Sequence, residues 1–202
     1  MSDAPIITAP ERPELTLPEA EAEWVRALYA EAGTILEYGS GGSTVIAAER
    51  PGKTVFSVES DAGWLAMMQA YFDANPPAGT VHLHHGDIGP TKKWGRPVDD
   101  SAWRNYHRYP LGVWDREDFT PPDLVLIDGR FRAACLLATL LRTEQPVTVL
   151  FDDYVGRGGY HSVEDFARPV ETRGRMARFD LVPTELPRAK LTRIFDLFTR
   201  VM

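Results

Sequence analysis

The segment 34–44, TILEYGSGGST, constrains the fold more than any other part of the chain. It reads as a short apolar strand that ends in an acid and runs at once into glycines and hydroxyls opening a helix. Glycines let the backbone approach a ligand, and a new helix presents N–H groups that have no partner within it. A turn of this kind forms a crevice for a nucleoside-containing cofactor. Strand-like runs recur at 34–38, 54–58, 81–85, 124–127 and 147–151, with helix-like segments at 43–50, 62–74 and 131–142. Such alternation predicts an α/β fold of parallel strands joined by right-handed helical crossovers.

The flanks are less regular. Residues 1–17, rich in proline and acid, read as a loosely held arm before a single domain over 18–202. Within 18–32, Trp24, Val25, Leu28 and Tyr29 fall at helical spacing, and Gly33 ends that helix. Toward the end, 162–168 reads as a helix and 178–182 with 193–200 as the last two strands, paired antiparallel at the sheet edge. The segment 89–122 is an insertion with little periodicity. It carries Trp94, Trp103, Tyr106, His107, Tyr109 and Trp114 among Lys92, Lys93, Arg96, Arg104 and Arg108. A loop this long is more often functional than a connector, and its place after the third strand lets it fold over the ligand edge of the sheet.

With 202 residues, 44% of them hydrophobic, the chain suits one well-buried core and is cramped for two. A formal net charge of -7 argues against a dedicated nucleic-acid or membrane-surface protein. Cys135 is the only cysteine, which excludes an intrachain disulfide framework and suits a reducing compartment. No stretch approaches the length of a membrane span. These features read as a soluble cytoplasmic protein, with homo-oligomerisation left open.

Three strand ends carry the cofactor argument. Gly39 and Gly41 match a dinucleotide fingerprint, but Thr44 stands where its third glycine belongs, which weakens a nicotinamide reading. Glu37, just before the first glycine, is a poor neighbour for phosphate and a good partner for a ligand ammonium group. Glu59, at the end of the second strand, can accept hydrogen bonds from both ribose hydroxyls. Asp87, after the third strand, can accept from an exocyclic adenine amine. Singly, each acid is more simply a helix cap or a solvated group. Together they stand at successive strand ends, where open parallel sheets bind ligands.

Through EYGSGGST, VFSVESD, HGDIG, DLVLIDGRFRAAC and VLFDDY, in this order between about Thr34 and Tyr154, the chain resembles the class I S-adenosylmethionine-dependent methyltransferases. The resemblance implies a three-layer Rossmann-like fold, with a mostly parallel seven-stranded sheet, an antiparallel last strand and helices on both faces. It also implies that the loop of Glu37, Tyr38, Gly39, Ser40, Gly41 and Ser43 holds the methionine half of the cofactor. Glu59 with Ser60 would hold the ribose, and Asp87 with Ile88 the adenine. Trp64 is a candidate to stack on adenine, a core role being about equally expected.

Asp128 ends the fourth strand, and Asp152 and Asp153 follow the fifth. Adjacent strands would bring these carboxylates together beside the transferable methyl. Either a hard cation such as Mg2+ relieves their repulsion, or an internal salt-bridge network with Arg130 and Arg132 does. The metal arrangement is similar to that of catechol-type O-methyltransferases. That group usually has asparagine at the position of Asp153, and a lysine base where this chain has Phe131. Arg130 cannot act as the base, although its planar fork suits an anionic substrate group. His107, Tyr154, Tyr160 and His161 are the remaining candidate bases. Methyl transfer to a small acceptor, oxygen preferred to nitrogen, is the leading expectation. A non-catalytic cofactor-binding protein and an NAD-dependent oxidoreductase stand behind it.

Overall fold

The computed structural model describes residues 11–201. In chain order, helix α1 (Glu19–Glu31), strand β1 (Thr34–Tyr38), helix α2 (Gly42–Ala48), strand β2 (Thr54–Glu59), helix α3 (Ala62–Ala74) and strand β3 (Thr80–His85) form the first half. The insertion follows, with β4 (Thr91–Lys92), β5 (Arg96–Pro97), the short helix α4 (Arg108–Leu111) and several 3-10 turns. The second half consists of β6 (Leu124–Ile127), α5 (Arg132–Arg142), β7 (Val147–Phe151), β8 (Glu171–Arg173), β9 (Met176–Leu181) and α6 (Leu191–Phe198).

Side-chain alternation along the strands explains the layers. In β1, Ile35 packs with Trp24, Val25 and Tyr29 of α1 and Ala47 of α2, whereas Leu36 and Tyr38 join the cluster of α4, α5 and α6. Both faces of the central strands are therefore apolar and covered, as parallel sheets require. The seven-stranded sheet runs β3-β2-β1-β6-β7-β9-β8, and β9 is antiparallel to both of its neighbours. The chain winds outward from β1 to β3, then returns to the other side of β1 to start β6. This reversal opens a crevice between the carboxyl ends of β1 and β6, where open α/β sheets take their ligands.

The C-terminal strand expectation is corrected. Residues 193–200 do not form a strand; most of them lie in α6, where Ile194, Leu197 and Phe198 recur at helical spacing and are buried. Arg193 and Arg200 of that segment both pair with Asp196. The true partner of β9 is β8, whose residues Glu171, Thr172 and Arg173 lie at the sheet edge and carry no apolar signal. The segment 162–168 is also corrected: 3-10 turns over Gly158–Asp165 replace the expected helix.

Of the arm, residues 1–10 lie outside the described residues. Residues 11–17 are tied down: Pro13 and Leu17 are buried, and Arg12 forms a forked ion pair with Glu49. The arm crosses α2 so closely that a Cβ on Gly42 would lie 2.2 Å from the Glu14 backbone. Among the described residues, no helix is long and apolar enough to cross a membrane.

The insertion is anchored by aromatic contacts. Trp114 donates its indole N–H to the Tyr38 hydroxyl at 2.7 Å, and that hydroxyl donates to the Pro110 carbonyl at 2.7 Å. Phe131, fully buried, packs its ring 4.9 Å from Tyr106 and 5.8 Å from Tyr109. Phe131 does so from a left-handed backbone conformation (φ 51°), which is costly for a bulky side chain and persists only when packing dictates it. Phe131→Ala should therefore lower the unfolding free energy by about 3–5 kcal/mol. A urea titration reads this as a fall in midpoint; a loss below about 1 kcal/mol would show that the ring does not seat the insertion.

Candidate active site

The site is built around two glycines. Gly39, at φ 109°, follows β1, and a Cβ there would lie 2.8 Å from the Gly129 nitrogen. A Cβ on Gly129 would lie 2.1 Å from the Tyr109 hydroxyl and 2.9 Å from the Gly39 nitrogen. Neither position accepts a side chain, so the ends of β1 and β6 meet backbone to backbone. The N–H groups of Asp128 and Gly129 both donate to the Tyr38 carbonyl, at 2.9 and 2.6 Å.

Beside this contact lies a cavity of 410 Å³, within the range for small-ligand sites. Its wall includes the loop from Gly39 to Ser43, Glu59 and Ser60 after β2, Trp64 on α3, and Asp128 to Arg130 after β6. Three further parts of the wall come from outside the strand-end motifs. Glu14 to Leu17 of the arm form one rim, Trp94 and Gly95 another, and Tyr109 reaches in from α4. The insertion was expected over this edge of the sheet, and the arm, like the insertion, was expected to supply acceptor contacts.

Hydroxyls fasten the glycine loop from beneath. The Ser57 Oγ lies 2.7 Å from Ser40 Oγ and 3.2 Å from Thr44 Oγ1, and the Gly41 N–H donates to Thr44 Oγ1 at 3.0 Å. Thr44, in place of a third glycine, thus locks the loop that a dinucleotide fingerprint would leave open. Glu59 is held almost rigidly. Its Oε1 accepts from the N–H groups of Ser60 and Asp61 at 2.7 and 2.9 Å, while Oε2 accepts only a long bond from the Ser40 N–H at 3.3 Å. Burial pushes the Glu59 pKa up, and these N–H donors counter it. Oε2 keeps accepting capacity to spare, and Glu59 lines the cavity.

The carboxylates after β6 and β7 meet arginines. Arg132, buried at the start of α5, donates Nη2 to Asp128 Oδ1 at 3.0 Å and places Nη1 3.3 Å from Asp153 Oδ2 and 3.7 Å from Asp152 Oδ2. Arg175, in the turn between β8 and β9, grips both oxygens of fully buried Asp152 at 2.8 Å each. Arg157 reaches Asp153 at 2.6 Å. The metal expectation is corrected on this geometry: guanidinium groups already occupy the lone pairs that a cation would need. Among the described residues, no group of three or more potential ligands is arranged for a metal ion. A salt-bridge network stands there instead, with Arg132, Arg157 and Arg175 as its cations and without Arg130.

Asp128 is the least neutralised of the three acids. A third of its side chain is exposed, and the residue lines the cavity. Loss of solvation pushes its pKa up to about 7; Arg132 opposes this and Asp152 reinforces it. A carboxyl raised in this way is suited to act as a general base.

Several expected site residues lie outside the cavity lining. Glu37 is fully buried beneath the loop, where it accepts from the Tyr29 hydroxyl at 2.5 Å and from Ser57 at 3.4 Å, and burial raises its pKa. Tyr38 points into the core as the anchor for Trp114. Asp87 caps its own turn, accepting from the Gly89 N–H at 2.9 Å, and Ile88 packs in the core. His107 is exposed, and His161 bonds the Tyr154 carbonyl at 3.1 Å. Neither histidine is among the residues that line the cavity. Tyr154 donates its hydroxyl to Glu164, and burial together with that bond raises its pKa, which makes it a poor base.

Comparison with solved structures agrees with this geometry. A methyltransferase-like protein from Silicibacter pomeroyi is 53% identical over 93% of this chain and 98% of its own, with a TM-score of 0.90. The chain belongs to the class I S-adenosylmethionine-dependent methyltransferases. The fold is shared more distantly with the O-methyltransferase TomG of tomaymycin synthesis from Streptomyces achromogenes, solved with S-adenosylmethionine (18% identity, 84% of this chain, 82% of that one, TM-score 0.58). An O-methyltransferase from Bacillus cereus, solved with S-adenosylhomocysteine, is also similar (13% identity, 82% of each chain, TM-score 0.52). No protein-family profile and no curated protein matches the chain.

Asp152→Ala would strand the charges of Arg132 and Arg175 and should cost about 3–5 kcal/mol of stability in a urea titration. Mg2+ or EDTA should leave the melting temperature of the native protein unmoved. A rise with Mg2+ that Asp152→Ala abolishes would restore the metal reading.

Proposed function

We propose that this chain transfers the methyl group of S-adenosylmethionine to an oxygen of a small acceptor in the cytoplasm. The observation that carries the reading is one cavity at the β1/β6 crevice that joins the glycine loop, Glu59 with its lightly bonded Oε2, and the raised carboxyl of Asp128. Family membership sets the nicotinamide alternative aside.

The residues present fit the cofactor. Glu59 Oε2 can accept from the ribose, and the indoles of Trp64 and Trp94 offer flat faces at the same end, where Asp87 and Ile88 were expected to hold the adenine. Trp64 is fixed for this by its bond to the Ser40 carbonyl at 2.8 Å. The glycine loop lets the backbone come close to the methionine half, and Asp128 borders it. The sulfonium supplies an already activated methyl. The protein's share is to hold the acceptor in line and to take its proton, which Asp128 can do once ionised. Phe131, standing where a lysine base is found in the catechol-type enzymes, packs in the core and leaves that task to Asp128. A cofactor-binding protein without catalysis is the second reading, favoured by that missing lysine.

Glu59→Gln should weaken S-adenosylhomocysteine binding by about ten- to a hundredfold in calorimetry, the loss of a charge-assisted hydrogen bond. Absence of binding by the native protein at millimolar cofactor would sink the reading. With labelled methyl donor and a cell-extract acceptor fraction, turnover should rise with pH and level off above about 7 as Asp128 loses its proton. Asp128→Asn should abolish that rise. Cofactor binding with no turnover at any pH would favour the non-catalytic reading.

A further inference from the structure

Four arginines converge on the carboxyl end of β6 and β7, and one of them differs from the rest. Arg132, Arg157 and Arg175 are each matched to aspartate. Arg130 forms no ion pair among the described residues, and its buried Nε has no hydrogen-bond partner. Its side chain nonetheless lines the cavity. An unmatched guanidinium taken out of water is costly, and arginine cannot escape the cost by losing its proton.

The surroundings deepen the deficit. Arg132 and Arg96 add positive charge, and together with burial they press the Arg130 pKa down. Tyr109, whose main influence is the opposite, is a phenol that burial keeps neutral. The nearest carboxylate in sequence, Asp128, gives its Oδ1 to Arg132. The protein supplies this pocket with cations and withholds the anion.

We propose that Arg130 binds an anionic group, a carboxylate or phosphate, carried by the methyl acceptor. This rests on the methyltransferase reading and adds the acceptor's chemical class. The order of groups along the sheet edge separates acceptor from cofactor. Glu59 ends β2, Gly39 follows β1 and Arg130 follows β6, so a nucleoside held by Glu59 reaches Arg130 last. The planar fork of arginine matches either oxyanion through paired hydrogen bonds. Tyr109 borders the same part of the cavity, its hydroxyl accepting from the Arg130 backbone N–H at 3.3 Å.

The test is calorimetry on the S-adenosylhomocysteine complex, with benzoate, its neutral counterpart benzamide, and phenyl phosphate as probes. Native protein should bind at least one of the two anions about tenfold or more tighter than benzamide, and the better anion identifies the group. Arg130→Gln should erase that preference while changing affinity for S-adenosylhomocysteine less than about threefold; Arg130→Lys should restore part of it. The inference is overturned if native protein shows no preference for either anion, or if the preference survives in Arg130→Gln. It is also overturned if Arg130→Gln weakens S-adenosylhomocysteine by about tenfold instead, which would assign the arginine to the cofactor's own carboxylate. Native protein that fails to bind S-adenosylhomocysteine before any probe is added would overturn the methyltransferase reading, and this inference with it.

Discussion

The backbone contact between Gly39 and Gly129 is the constraint on which the site depends. A Cβ on either glycine would lie only 2.8 to 2.9 Å from the other's backbone nitrogen, so the two segments approach this closely only because neither bears a side chain. That approach brings the end of β1 against the end of β6, and the rest of the crevice follows. Asp128 is carried to the cavity by the residue before the contact and Arg130 by the residue after it. Tyr109 fills the space above Gly129, and through Phe131 and Tyr38 the whole insertion is fastened to the same point.

Around this contact the protein balances charge unevenly, and the unevenness has chemical content. Asp152 and Asp153 are fully answered by Arg132, Arg157 and Arg175, so they act as structure that fixes the loops after β6 and β7. Asp128 is answered by one arginine only, and lies close enough to Asp152 to feel its repulsion. Its raised pKa is thus a product of the same network that holds the loops in place. A bound cation would have lowered that pKa and removed the base; the one arginine bonded to Asp128 leaves it raised. Arg130 is the complementary case, a cation left without an anion in a cavity built to receive a ligand.

Much of this architecture was legible in the sequence because it rests on local patterns. β1, β6, β7 and α3 fall where apolar runs and helical spacing place them, and the glycine loop announces the crevice. Arg193 to Arg200 was misread because apolar residues at 194, 195, 197 and 198 suit both a short strand and one helix face, and only packing against α5 decides. β8 left no trace because an edge strand of Glu171, Thr172 and Arg173 needs no apolar residue. The site was harder to read than the fold. Which acids stay unpaired depends on Arg157 and Arg175, whose reach to Asp152 and Asp153 is a tertiary fact with no sequence pattern. The same holds for Glu37, whose position before the glycines suggested a ligand contact, although Tyr29 and Ser57 hold it beneath the loop. Trp94, Gly95 and the arm reach the cavity from segments without periodicity, where sequence gives composition but no direction.

The most direct test of the central claim is a crystal structure of the protein with S-adenosylhomocysteine bound. The account predicts the ribose hydroxyls about 3 Å from Glu59 Oε2, the sulfur beside Asp128, and Arg130 facing open space beyond it. A ligand bound outside the β1/β6 crevice, or bound within it without touching Glu59, would contradict the account.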